Sequence, residues 1–225
     1  MIRRHLLAAP LLALAVPVRA QQRAAPPPPP APLTDRDRAD IARVEAYLNG
    51  LRTLRARFVQ AAWNGAVAEG TAWIWRPGRM RFEYDPPEPL LLVADANQFM
   101  MYDREMRQPT TIPVGSTPLG LLLRPNIRLS GDVTVTRVER APGLLAVTLH
   151  RSESPAEGRL TLVFSDEPME LRQWVVVDAQ GRETRVSLSR IETGLTFEAR
   201  LFQFNDPRFF EQEGLRGPPP TGTWR

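Results

Sequence analysis

The chain is 225 residues long, enough for one domain with a substantial core or at most two small ones. It has no lysine, so all 29 basic residues are arginine, and it has no cysteine, which excludes disulfides, a thiol nucleophile, Cys-ligated metals and a lipid-modified N-terminal cysteine. Arg3, Arg4 and Arg19 fall in an acid-free N-terminal segment; without them 26 arginines face 25 acids, a near-neutral balance that gives nucleic acid no electrostatic footing.

The opening "MIRRHLLAAPLLALAVPVRA" has a charged start, a short apolar run from Leu6 to Val16 and the small-residue end Val18-Arg19-Ala20. This pattern predicts a secretory signal peptide over residues 1–20, because the run is too short to span a bilayer. "QQRAAPPPPPAPL" then predicts an extended proline-rich linker over 21–33. The folded domain is expected over 34–212, with a flexible tail from 213 to 225, "EGLRGPPPTGTWR".

Thr34 is positioned to cap a helix, with Asp35 and Asp37 in its first turn where acids suit the helix dipole. Ile41, Val44, Leu48 and Leu51 recur at helical spacing, and Asn49-Gly50 marks the end. Strand patterns follow: "LRARFVQAAW", "GTAWIW", "RMRFEY", "PLLLVA" and, after a turn at Asp95-Ala96-Asn97, "QFMMYD". In "RMRFEY" the alternation sets Met80, Phe82 and Tyr84 on one face and Arg79, Arg81 and Glu83 on the other. "STPLGLLLRPN", Ser116 to Asn126, breaks the pattern and predicts a short apolar helix with Pro118 at its start and Pro125 at its end. Further strands are expected in "DVTVTRVE", "LLAVTLHR", "RLTLVFS", "LRQWVVVD", "TRVSLSRI" and "LTFEARLFQF". Short strands joined by turn residues predict a mainly β protein with a few helices, built as an antiparallel meander or barrel.

Catalytic chemistry has little to stand on. His150 is the one histidine beyond the signal peptide, and it lies within a strand. There is no H-E-x-x-H, no G-x-S-x-G and no phosphate-cradling glycine loop, and the carboxylates are scattered. The unusual feature is the supply of aromatic and Met side chains on strands. Two readings stay open from the residues alone: a sheet core packed on helices, or a cavity kept for apolar guests.

At "AWIWRPGRMRFEYDPPEPLLLVAD", "MMYDREMRQPTTIP" and "STPLGLLLR" the chain resembles the periplasmic outer-membrane lipoprotein carrier family, LolA, over Ala39 to Phe210. The resemblance implies an unclosed antiparallel β-barrel with a helical lid over an apolar concave face. It implies a periplasmic chaperone that binds the acyl chains of lipoproteins released from the inner membrane and carries them to the outer membrane. An alternative is a lipid-binding or lipoprotein-sensing module of the same fold. The expected cavity lining is Trp73, Trp75, Met80, Phe82 and Tyr84, with Leu90, Leu92, Met101, Phe164 and Trp174. Leu119, Leu122 and Leu123 are the expected lid, and Arg76 the latch that bonds lid carbonyls in the segment Thr117 to Leu123. The implied partners are acylated lipoproteins, an inner-membrane ATP-driven transporter and, where one exists, an outer-membrane acceptor lipoprotein. No cofactor, metal or catalytic group is implied.

Overall fold

Helix α1, Asp35–Gly50, begins where the capping residues place it. The Thr34 hydroxyl accepts from the Asp37 amide at 3.2 Å, and the Asp37 carboxylate accepts from the Thr34 amide at 2.9 Å, so two orphan donors of the first turn are satisfied reciprocally. A computed structural model describes residues 32–106 and 108–204. The expected signal peptide, residues 21–31 of the linker, residues 205–212 and the tail lie outside the described residues.

Arg140 fastens the start of α1 to the sheet by bonding Asp37 at 2.8 Å and Asp40 at 2.6 Å. Bonds from Thr34, and then the Arg140 guanidinium, hold the Asp37 carboxyl down at about 2, against its ordinary 3.8. Because the folded value is depressed, ionised Asp37 stabilises the fold above the ordinary carboxylate value, and that contribution is lost as pH falls from about 4 to about 2. Amide protection in the first turn of α1 is therefore expected to drop through this window before the sheet unfolds. Asp37→Asn is expected to abolish the pH dependence, as read by hydrogen exchange.

The strands are β1 (Thr53–Ala62), β2 (Val67–Trp75), β3 (Arg79–Tyr84), β4 (Leu90–Asp95), β5 (Gln98–Asp103) and β6 (Gln108–Pro113). They continue as β7 (Val133–Ala141), β8 (Leu144–Arg151), β9 (Gly158–Ser165), β10 (Glu170–Asp178) and β11 (Glu183–Thr193). All neighbours pair antiparallel in one 11-stranded sheet, ordered β6-β5-β4-β3-β2-β1-β11-β10-β9-β8-β7. β6 and β7 are the two edges and do not pair with each other, so the barrel is open. Three register shifts, in β1, β7 and β10, add local twist.

Three segments differ from the sequence expectation. β6 was not expected; Pro109 and Pro113 suit it to an edge, where a missing N–H costs no ladder bond. The expected helix over 116–126 is two short 3-10 helices, Val114–Ser116 and Pro118–Leu123, the second capped by the Thr117 hydroxyl. "LTFEARLFQF" is not a strand: it runs outside the sheet and holds a 3-10 turn, Ala199–Phe202.

The concave face carries the main core. Phe58, Phe82, Tyr84 and Trp174 stack there, with centroids 5.0–5.9 Å apart in tilted or edge-on geometry. Tyr84 donates to the Gln60 side chain at 2.8 Å, and burial pushes its phenol up to about 12. Room for the rings comes from Gly70 in β2: a Cβ there would meet the Glu83 carbonyl and lie 2.6 Å from the Phe58 ring. Gly70→Val is expected to destabilise by about 3 kcal/mol, since backbone and a packed ring must both shift. Thermal melting checks this, and an unchanged midpoint would contradict the packing.

The convex face has a smaller cluster, Leu91, Val93, Met100 and Tyr102, with Phe204 against it. The segment after β11 crosses it. Fully buried Phe202 packs on Trp75 at 5.8 Å, and Arg81 donates to the Leu201 carbonyl at 3.2 Å while paired with Glu83 at 3.0 Å.

Candidate functional site

The candidate site is the concave face together with what lies over it. Strand parity and pairing fix the lining. Met80, Phe82 and Tyr84 face inward, and Phe82 pairs with Leu92, which pairs with Met101, so Leu90, Leu92 and Met101 share that side. Phe164 and Trp174 join them from the other half of the sheet. Coverage is uneven: Met80, Phe82, Tyr84, Phe164 and Trp174 are buried, Leu90 and Leu92 are half-buried, and Met101 is 41% exposed.

Trp73 and Trp75 are not part of this lining. Trp73 pairs with Arg81 and Trp75 with Arg79, which sets both tryptophans on the convex side, where the Arg79 guanidinium lies 4.7 Å from the Trp75 ring centre. Ala72 and Ile74 take the inward positions of β2. The register of the hairpin turn decides this: it sets Trp75 opposite Arg79, not Met80.

The crossover from β6 to β7 runs over the concave face. Leu121, Leu122 and Leu123 are buried in the main core, and Leu119 packs at its margin. Ile127 and Leu129 follow them into the same core. This connection leans on α1: the Asn49 side chain bonds both the amide and the carbonyl of Ile127, at 2.8 and 2.9 Å, and Glu45 accepts from the Leu129 amide at 2.6 Å.

Arg76, 6% exposed, sits where α1, the β2–β3 turn and the crossover meet. It donates to the carbonyls of Leu48 and Leu51 at the end of α1, and to the Arg124 carbonyl at 2.7 Å. The bonded residue is thus Arg124, one past the segment Thr117 to Leu123, and the resemblance gave no hint of the α1 carbonyls. The adjacent Gly78, whose φ of 81° suits glycine, donates its amide to the Leu123 carbonyl at 2.9 Å. The buried Arg76 Nε has no hydrogen-bond partner among the described residues, and burial, with Arg52 nearby, lowers the affinity of the guanidinium for its proton.

A cavity of about 300 Å³ lies between the start of the crossover, Gly115 to Leu121, and the ends of β7, β8, β9 and β10. None of the expected lining residues borders it; of the expected lid segment, Thr117, Pro118, Gly120 and Leu121 do. His150 also borders it, with Nδ1 held 2.8 Å from the Arg151 carbonyl. Among the described residues no cluster of three or more His, Asp or Glu is placed to hold a metal ion. Here the crossover leucines cover the apolar concave face.

Comparison with known proteins agrees with this geometry. Residues 49–205 match the family described as "Outer membrane lipoprotein carrier protein LolA". An outer-membrane lipoprotein carrier protein of Dechloromonas aromatica is 33% identical over 172 residues, covering 72% of this chain and 81% of that one. One from Legionella pneumophila strain Lens is 33% identical over 176 residues, covering 73% and 85%, and one from Methylococcus capsulatus is 27% identical over 175 residues, covering 74% and 83%. With the open sheet, the leucine-bearing crossover and the family match spanning the same residues, the chain belongs to the outer-membrane lipoprotein carrier family LolA.

Proposed function

We propose that this protein is a periplasmic chaperone that takes lipoproteins by their acyl chains as they leave the inner membrane and carries them to the outer membrane. Its export would rest on residues 1–20 as a signal peptide, with 21–33 as a tether, 34–212 as the carrier domain and 213–225 as a tail. The single observation that carries the reading is the lid itself. Leucines 121–123 occupy the apolar concave face from a crossover that has no place in the sheet.

Each buried CH₂ favours an apolar environment by about 0.8 kcal/mol, so one long chain prefers a membrane by on the order of 10 kcal/mol. A carrier must cover such chains in water and still release them. A lid that fills the face when empty lowers the net gain on loading, because its own leucines must first be exposed. Binding is then strong enough to shield and weak enough to hand over. Loading needs free energy from an ATP-driven inner-membrane transporter, and unloading an acceptor at the outer membrane. The carrier itself works by binding and needs no nucleotide, metal or catalytic group.

The test is to purify the exported protein from periplasm and identify bound cargo by mass spectrometry. Recovery of triacylated lipoproteins is expected. Free lipid with no acylated protein would overturn the carrier reading.

A further inference from the structure

The two edges of the sheet are built differently. β6 carries Pro109 and Pro113, and a proline nitrogen offers no donor to an added strand. β7 holds no proline. The Pro142-Gly143 turn joins β7 to β8 with Ala141 opposite Leu144, and Glu139 and Arg137 follow opposite Ala146 and Thr148. Parity from that turn gives Ala141, Glu139 and Arg137 to the β8 ladder. It turns the N–H and C=O of Val138 and Arg140 outward, away from β8. Neither of these residues makes a further backbone–backbone bond among the described residues.

Side chains along this edge follow the same alternation. Arg140 turns to the concave side, where Asp37 and Asp40 of α1 hold it, and Val138 packs at the margin of the main core. Arg137 and Glu139 take the convex side, both exposed and joined to each other at 3.3 Å. Opposite charges two positions apart on a free edge are self-complementary. When two copies of the strand meet antiparallel about Val138, each Arg137 faces Glu139 of the other copy, and each Thr136 faces Arg140. Moving the centre to Arg137 or to Glu139 sets that residue against its own copy, and like charges directly opposite are destabilising. The charges therefore select one register and do not shield the edge.

We propose that β7 is a dimerisation edge whose partner is a second copy of this chain, paired antiparallel about Val138 in an isologous two-fold contact. The two Val138 residues exchange N–H and C=O bonds, and Arg137 meets Glu139 twice across the convex side. The two-fold axis of such a ladder stands perpendicular to the sheet. Both concave faces therefore open to the same side, and each copy keeps its own crossover and Arg76 junction. A ladder confined to residues 136–140 is a small interface, so association is reversible and concentration-dependent. The inference goes beyond lipoprotein carriage and does not depend on it.

The experiment is sedimentation velocity on the purified chain over a wide range of concentration. A reversible monomer–dimer equilibrium is expected. Arg137→Glu and Glu139→Arg, each alone, should weaken dimerisation at least tenfold, because each sets like charges face to face. The double variant Arg137→Glu/Glu139→Arg should restore it. An equal mixture of the two single variants should restore it as well, since opposite charges meet again. Val138→Pro removes only the outward N–H and leaves the β8 ladder whole; it should fold normally by circular dichroism and stay monomeric. Hydrogen exchange places the contact: the amides of Val138 and Arg140 should gain protection as concentration rises, and that of Thr111 in β6 should not. A monomer at every concentration, a dimer indifferent to the single charge reversals, a double variant as weak as the singles, dimerisation by Val138→Pro, or protection gained at Thr111 instead would each overturn the proposal.

Discussion

Arg76→Leu is expected to leave the sheet folded while opening the lid about a hundredfold more often. The change strips donors from the carbonyls of Leu48, Leu51 and Arg124 at once. Each buried acceptor left without a donor costs about 1–3 kcal/mol. Against this, a buried guanidinium with one N–H unsatisfied among the described residues is removed, which recovers part of that cost. A net of about 3 kcal/mol against closure follows, and every 1.4 kcal/mol is roughly tenfold. The amides of Gly78, Ile127 and Leu129 report it, because each is bonded across the closed junction. They should exchange about a hundredfold faster, while Leu162 in β9 keeps its protection. Under the proposed carrier function, loading with lipoprotein should persist and transfer to an acceptor should fall, because the free energy of reclosing would help to expel cargo. Arg76→Lys should resemble Leu more than wild type, since one ammonium cannot fork to α1 and the crossover together. Unchanged exchange at all three amides would remove Arg76 from the role of latch.

Phe82→Glu has the second large effect, and it falls on stability as well as on uptake. Phe82 is 3% exposed between Phe58 and Trp174. Truncating a buried Phe costs about 3–5 kcal/mol, and the introduced carboxylate has no partner there. A loss above 5 kcal/mol is expected, a large share of a typical 5–15 kcal/mol margin. The melting midpoint should fall by roughly 10–20 °C. Protein that remains folded should take up no acyl cargo. Val59→Glu, on the convex side at 39% exposure, should stay within about 0.5 kcal/mol of wild type. Equal melting of the Phe82 and Val59 variants would mean that the faces of the sheet are assigned the wrong way round.

Local chemistry was legible in the sequence where it acts within a few residues. Thr34 and Asp37 announced the start of α1, and the alternation of Arg79 to Tyr84 announced β3. The family motifs led to Arg76 and to the leucines of the crossover. What could not be read was the relation between elements. Trp73 and Trp75 are large and apolar and suggested a lining, yet hairpin register turns them outward. The small residues Gly70 and Ala72 face in because Phe58 and Phe82 already fill that space. The segment from Leu195 to Phe204 has the pattern of a strand. It finds no partner because β11 lies mid-sheet, with β1 on one side and β10 on the other. It crosses the convex face instead and covers Arg81, a charge the alternation pattern had left in solvent.

The unpaired edges have a mechanical consequence. β6 and β7 are the ends of the strand order, and the chain between them is the same crossover that carries the leucines. The seam can therefore widen or narrow without breaking a single interstrand hydrogen bond, as a slit tube flexes without tearing. Under the proposed carrier function, guests of different girth would be met by a change of curvature, with the ladder from β6 through β1 to β7 kept intact.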